Sequence, residues 1–422
     1  MWFLYLSLYL VWVTFAIAIP FNAHPSKGSL PDGLYNQSAI DSGEVLQHLL
    51  SRANEASLER LTRATNKTDK LESSTGCNPS TLTVRREWRT LSSDNRRSYI
   101  AAVQCLQSKP SVYEPKDAPG VKSLYDSFVA THINQTLVIH NTASFLTWHR
   151  FYVWTYDQAL RTECGYAGPT PYWDWSLDID SPRDSPMFDG SDTSFGSDGK
   201  YFEHEGVIFT SPPGAPSTPP LSGEPGTGGG CIFKGPFVNY TVNLGPVNEK
   251  QFPNGPNITY VPSTDLLAYN PHCLRRDLNP WVAQSFASFN QSTSVILEYD
   301  TIEYFQAFLE GDLRYVQGTL GIHGGGHFTV GGDHGDTFSS PVDPVFFLHH
   351  GNIDRVYSIW QGQNFENRQG IFGTRTFYNS PPSDNGTVDD YLTLQLGNLT
   401  KKMQIRDAMD TVGGTPFCYI YA

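Results

Sequence analysis

Basic residues are scarce in this chain of 422 residues: 29 lysines and arginines face 42 acidic residues, for a net charge of −13. No basic surface is available to hold a nucleic-acid backbone, and no block of like charge suggests an interaction tail. The six cysteines, Cys77, Cys105, Cys164, Cys231, Cys273 and Cys418, contain no C-x-x-C pair and do not read as a zinc site. No apolar run beyond the N-terminus approaches the length of a bilayer span. No internal repeat recurs at a solenoid period.

What is present begins with Met1 to Ala18, which is uncharged, almost wholly apolar and ends in Ala16-Ile17-Ala18. The small-x-small ending predicts a signal peptide over residues 1–18, against the alternative of an uncleaved anchor. Sequons at Asn36, Asn66, Asn134, Asn239, Asn257, Asn290, Asn385 and Asn398 agree with export. In an exported chain the six cysteines allow up to three disulfides, with the pairing left open. We therefore expect a secreted glycoprotein with no membrane association after cleavage. A charged fraction of 17% and an aromatic fraction of 13% suit a folded globular protein.

Residues 19–76 read as a polar N-terminal arm or removable pro-segment. It holds one helix-like run, Gly43 to Thr65, with leucines at 46, 49, 50, 58 and 61. The ordered domain is expected over 77–422. Helical periodicity recurs there over Ser92 to Leu106, Val121 to Ile133, Phe145 to Arg161, Asp300 to Val316 and Pro344 to Gln361. Ser181 to Pro262 is rich in glycine and proline and reads as long surface loops inserted into a helical domain.

Seven of the twelve histidines fall in two clusters. The first is His132, His140 and His149. The second is His323 and His327 in IHGGGH, followed by His349 and His350. His24, His48, His204 and His272 are scattered and read as ordinary surface or core residues. Three imidazoles make a metal site with an open position, and two clusters make two sites. His323 and His327 share a face if their segment is helical. The three intervening glycines oppose a helix at about 1 kcal/mol each relative to alanine. They read either as room above the metals for a flat substrate or as a loop with two incidental histidines. Phe145 precedes His149 by four residues, and Phe346 precedes His350 by four, so each ring should lie beside an imidazole. Asp354, one turn after His350, is a candidate partner for a ligand's second ring nitrogen. No cysteine adjoins these histidines and no carboxylate completes the HxxxH set, which leaves a copper pair as the best match.

These runs resemble the tyrosinase and catechol oxidase family, closest to its short fungal members, which include o-aminophenol oxidases. The resemblance rests on His140, Phe145, Leu146, Trp148, His149 and Arg150, and on Asp343, Pro344, Phe346, His350 and Asp354. Pro171 to Trp175, CIFKGPF from Cys231, and the pair Tyr419 and Tyr421 extend it from about Cys77 to the end. It implies a mainly α fold, a four-helix bundle around a dinuclear copper site with long irregular loop insertions. It implies one copper on His132, His140 and His149, a second on His323, His327 and His350, and His349 as a neighbour only. It places Phe346 as the ring bordering the substrate entrance. The implied reaction is oxidation of o-diphenols or o-aminophenols to o-quinones or quinone imines, with O2 as oxidant. The chain departs from the family at Asp157, where glutamate is frequent, and at Val138, where some members carry a cross-linked cysteine. From the resemblance to the short members, we expect no C-terminal shielding domain after the tyrosine pair. Gly324 follows His323 where members that hydroxylate monophenols often have asparagine; Glu310 and Asp312 are the nearest upstream carboxylates, with neutral Gln317 closer. Diphenol oxidation is therefore expected to exceed monophenol hydroxylation. The competing readings are a full tyrosinase, a hemocyanin-type oxygen binder and a zinc hydrolase.

Overall fold

The computed structural model describes residues 35–68, 76–212, 214–247, 258–413 and 416–422, so the signal-peptide reading lies outside the described residues. Ten α-helices are described: α1 (Gln37–Asp41), α2 (Glu44–Thr68), α3 (Ser93–Ser108), α4 (Leu124–Ile139), α5 (Phe145–Cys164), α6 (Pro280–Phe286), α7 (Phe289–Glu298), α8 (Ile302–Glu310), α9 (Gly321–Val330) and α10 (Val345–Gln363). The histidine clusters ride on α4, α5, α9 and α10, which form the helical core around the candidate site.

Local chemistry sets where these helices begin and end. A reciprocal capping box starts α4: the Asp126 amide donates to Ser123 Oγ, and the Ser123 amide donates to Asp126 Oδ2, both at 3.0 Å. Gly165, at φ 68°, ends α5 in the left-handed conformation that favours glycine. Pro344 stands just before α10, where its missing N–H costs nothing. Both α4 and α10 are buried over nearly their whole length, because each packs on more than one neighbour.

A three-stranded parallel sheet closes one end. Thr83–Glu87 lies at its centre, paired to Tyr419–Tyr421 on one side and Pro171–Tyr172 on the other. Disulfide Cys77–Cys418 joins the start of this domain to its end; Cys105–Cys164 and Cys231–Cys273 are the other two pairs. Among the described residues, the inserted segment holds short strand pairs, including Ile208–Phe209 against Leu221–Ser222, and one short 3-10 helix, Pro182–Asp184.

Two buried ion-pair networks hold α10 in place, and the first ties it to the sheet. Asp354 on α10 accepts from Arg150 Nε at 2.5 Å, Arg85 Nη1 at 3.2 Å, and the hydroxyls of Tyr419 and Tyr421 at 2.6 Å each. Burial pushes this carboxyl up, but the two guanidinium groups and two hydroxyls outweigh it and hold it below the usual carboxylate range. Asp343 forms a two-pronged pair with Arg276, at 2.7 and 2.9 Å, and fixes the turn before α10.

The segment read as a polar arm is different in the structure. Helix α2 is docked on α10, with Val45, Leu46, Leu49, Leu50, Ala53 and Leu61 buried. Gly362 has no room for a Cβ against Ala53, so the two helices meet backbone to backbone. Gln363 Nε2 donates to the Leu49 carbonyl at 3.0 Å, and Asn54 Nδ2 to the Tyr421 carbonyl at 2.8 Å. The packed body therefore starts before Cys77. The leucines gave the helix away, but periodicity alone could not say what they face. Helices α6 and α7 were not foreseen, and α8 is shorter than its periodicity suggested because Gly311, at φ 66°, ends it.

If α2 belongs to the core, Leu49→Ala costs about 2–5 kcal/mol of stability. Urea unfolding of the mature protein measures this; a midpoint equal to wild type would mean that the helix is dispensable.

Candidate metal centre

His132 sits in the middle of α4, and His140 is the residue at its C-terminal cap. The turn that follows puts Asn141 at φ 47° and returns the chain into α5, where His149 lies just over one turn from the start. On the other side, His323 and His327 share one face of α9, and His349 and His350 lie near the start of α10. The ligand-capable nitrogens of His132, His140 and His149 all fall within 4.8 Å of one another; so do those of His323, His327, His349 and His350.

Backbone carbonyls select the tautomers. The Nδ1 atoms lie 2.7 Å from the Phe338 carbonyl for His132, 3.0 Å from Thr136 for His140, 2.8 Å from Phe145 for His149 and 3.0 Å from His334 for His327. A carbonyl can only accept, so each of these Nδ1 atoms carries the proton and each Nε2 presents a lone pair. The Nε2 atoms of His132, His149 and His323 are buried without a protein partner. Burial pushes all six rings named by the resemblance below the ordinary imidazole range, with neighbouring imidazoles adding to it for most, and leaves them neutral at neutral pH. Buried lone pairs without donors are costly, and neutral imidazoles aimed at a shared point are what a soft or borderline metal ion needs. This donor set fits copper.

The two groups share one space. The His149 and His350 rings stack at 4.3 Å and 11°, and His140 stacks on His323 at 5.9 Å. His350 Nε2 also lies 3.2 Å from His327 Nε2. Phe145 packs on His149 and His323, at 4.8 Å each, and on His140 at 6.0 Å. Phe346 packs on His350 at 4.3 Å, His132 at 5.2 Å and His327 at 5.7 Å. These two rings wall the space with apolar surface.

Four sequence readings change here. Phe346 is fully buried among the imidazoles, so it cannot border an entrance; it lies beneath the site. Asp354 partners no histidine, because its oxygens are taken by Arg85, Arg150, Tyr419 and Tyr421. His349 does not turn away from the second group: its ring lies 4.3 Å from His327 and 5.1 Å from Trp175. The glycines between His323 and His327 are helical and serve separate purposes. A Cβ at Gly326 would overlap the His349 ring, and one at Gly325 would meet the Phe286 carbonyl at 2.7 Å. Only Gly324 is half-exposed, with Leu320 Cβ at 3.0 Å as its nearest obstacle.

Three supporting residues were missed or undervalued. His334 is buried and exchanges ring-to-carbonyl contacts with His327, at 3.0 and 3.1 Å. Gln306 and Glu310, one turn apart on α8, grip the turn after His140: Gln306 Nε2 donates to the Thr142 carbonyl at 2.8 Å, and the Asn141 amide donates to Glu310 Oε1 at 2.7 Å. Burial pushes the Glu310 carboxyl well above its usual range. No spacing signal ties α8 to His140, since the contact spans about 170 residues of chain.

The glycine geometry gives a direct contrast. Gly326→Ala should lose about 1–3 kcal/mol and shed metal from the second group, because the His349 ring must move. Gly324→Ala needs only a small shift of Leu320 and gains helix propensity, so it should fold and load metal as wild type does. Thermal melting with metal analysis checks both, and equal behaviour of the two variants would refute the assignment.

Comparison with known proteins agrees with this arrangement. Residues 122–363 match the family described as "Common central domain of tyrosinase". The chain is 38% identical over 344 residues to tyrosinase P of Aspergillus terreus, covering 80% of this chain and 91% of that one. It is 38% identical over 361 residues to an N-acetyl-6-hydroxytryptophan oxidase of Emericella nidulans, covering 82% and 93%. A mutant polyphenol oxidase from Thermothelomyces thermophila has a similar structure, with TM-score 0.79 and 36% identity over 90% of this chain and 98% of that one. Because the matched stretch runs from the cap of α4 to the end of α10 and contains both histidine groups, the chain belongs to the tyrosinase family and is a copper-dependent oxidoreductase of that family.

Proposed function

We propose that this protein is a secreted oxidase of o-diphenols or o-aminophenols, with one copper held by His132, His140 and His149 and the other by His323, His327 and His350. The observation that carries the reading is the stack of His149 on His350, which brings both groups to one space. It also supports His350 over His349 as the third ligand of the second group. Among the described residues the His349 ring packs on His323, His327, His334, His350 and Trp175, but on no member of the first group.

Bound copper supplies the transfer of electrons from the phenolic ring to O2. The chain's own residues do the rest. The carbonyls of Phe338, Thr136, Phe145 and His334 keep the Nδ1 protons in place, so the imidazoles stay neutral and correctly turned. Phe145 and Phe346 exclude water from between the two groups. His323 and Gly324 are half-exposed, and a flat ring can approach beside them.

Preference for diphenols follows from the engagement of the two carboxylates nearest upstream of His323 in the sequence, Glu310 and Asp312. Glu310 accepts from the Asn141 amide at 2.7 Å and from Gln306 Nε2 at 2.9 Å, so both its oxygens are committed. Asp312 is paired with Arg314. Neither is disposed to take a proton from an incoming monophenol, which must lose one before it binds copper. Export is supported by three disulfides and eight sequons; no helix among the described residues is long and apolar enough to cross a membrane.

Oxygen uptake by the copper-loaded protein with a monophenol, a catechol and an o-aminophenol tests the proposal. Catechol or o-aminophenol should be oxidised at least about tenfold faster than the matched monophenol. Gly324→Asn, which can hold a water near the copper, should narrow that ratio at unchanged copper content. Reversible O2 uptake without turnover would mark an oxygen carrier, and equal rates on monophenol and catechol would mark a full tyrosinase.

A further inference from the structure

Among the site histidines only His323 is half-exposed, and although its Nε2 is buried, the cover over the centre is thinnest along the flank of α9 that carries it. On that flank Leu320, Gly324 and Phe328 form one row at four-residue spacing, and all three are half-exposed. The other glycines of the run are closed off by Phe286 and His349. The row therefore borders the opening. Phe328 is its bulky member, with Cδ2 4.0 Å from where a Cβ of Gly324 would stand, and it is backed by Gly335, whose Cβ would lie 3.2 Å from the ring.

The free face of Phe328 is covered by a distant part of the chain. Phe209 packs on it edge to face, with ring centroids 4.6 Å apart and planes at 65°. Phe209 belongs to the strand pair Ile208–Phe209 and Leu221–Ser222, inside the glycine- and proline-rich insertion. The base of that hairpin is fixed. The Gly223 amide donates to the Val207 carbonyl at 2.8 Å, and Gly206 has no room for a Cβ against the Gly223 carbonyl. A Cβ on Gly223 would stand 2.5 Å from the ring of Trp281, on α6, which itself packs on α9. An exposed hairpin seated in this way does not need to bury an aromatic ring on the rim of the opening for its own stability; the preceding residue, Ile208, is left 50% exposed.

We infer that Phe209 is a specificity-determining residue: the insertion hairpin forms one wall of the substrate opening, and Phe209 on Phe328 narrows it against phenolic rings with a bulky substituent para to a hydroxyl. The inference rests on the phenol-oxidase reading above. The wall acts on binding and not on electron transfer, so its effect belongs in KM.

Catechol and 4-tert-butylcatechol separate the two claims. In Phe209→Ala the kcat/KM for 4-tert-butylcatechol relative to catechol should rise about tenfold, carried by KM, while kcat on catechol and bound copper stay at wild-type values. In Phe209→Trp the same ratio should fall. Opposite shifts from two substitutions of one residue cannot come from a general loss of folding. A ratio unchanged in both variants, with catechol turnover intact, would overturn the role of Phe209 and leave the oxidase reading standing. Absence of catechol turnover in the wild-type protein would overturn the oxidase reading and this inference with it.

Discussion

Between α4, α5, α9 and α10 lie imidazole nitrogens that are buried, hold lone pairs and have no protein partner. Each such atom opposes folding unless something else meets it, and the cost of an unmet buried polar group is about 1–3 kcal/mol. The surrounding structure is arranged to keep these atoms where they are. Backbone carbonyls fix the Nδ1 protons, Phe145 and Phe346 fill the gaps between rings, and Gln306 and Glu310 grip the turn that carries His140 into α5. A metal pair held there would turn that liability into a tie between four helices.

Holding four helices in register needs a stiff periphery. Asp354 supplies much of it, since one carboxylate joins α10 to α5 through Arg150, to the first strand through Arg85 and to the last through two tyrosines. Removing any one partner would leave charge or hydroxyl uncompensated in the interior. The Cys77–Cys418 disulfide and helix α2 reinforce the same end of the molecule. The residues read from sequence as candidates beside the metals thus divide: Phe145 and Phe346 touch the imidazoles, while Asp354 acts at one remove through Arg150.

Much of this was legible before the structure. Clustered histidines, paired Phe-x-x-x-His spacings and helical periodicity pointed to α4, α5 and α10, because helix faces are written locally, whereas the glycines of α9 left that segment open between a helix and a loop. Contacts between distant segments were not. Nothing near Glu310 points to Asn141, nothing near Leu49 points to α10, and nothing near Phe209 points to Phe328. The glycines of IHGGGH illustrate the limit: the sequence offered room for a flat substrate or a loop, and only packing shows that Gly326 makes room for His349, Gly325 for the Phe286 backbone, and that Gly324 alone is left half-exposed.

The central claim is that two imidazole triads hold a pair of coppers in one space. Copper analysis with X-ray absorption on the purified protein tests it most directly, using His149→Ala as the comparison. The account predicts two coppers per chain, bound by nitrogen or oxygen donors without sulfur, and one per chain in the variant. A single copper in wild type, a sulfur ligand, or two coppers retained in His149→Ala would contradict it.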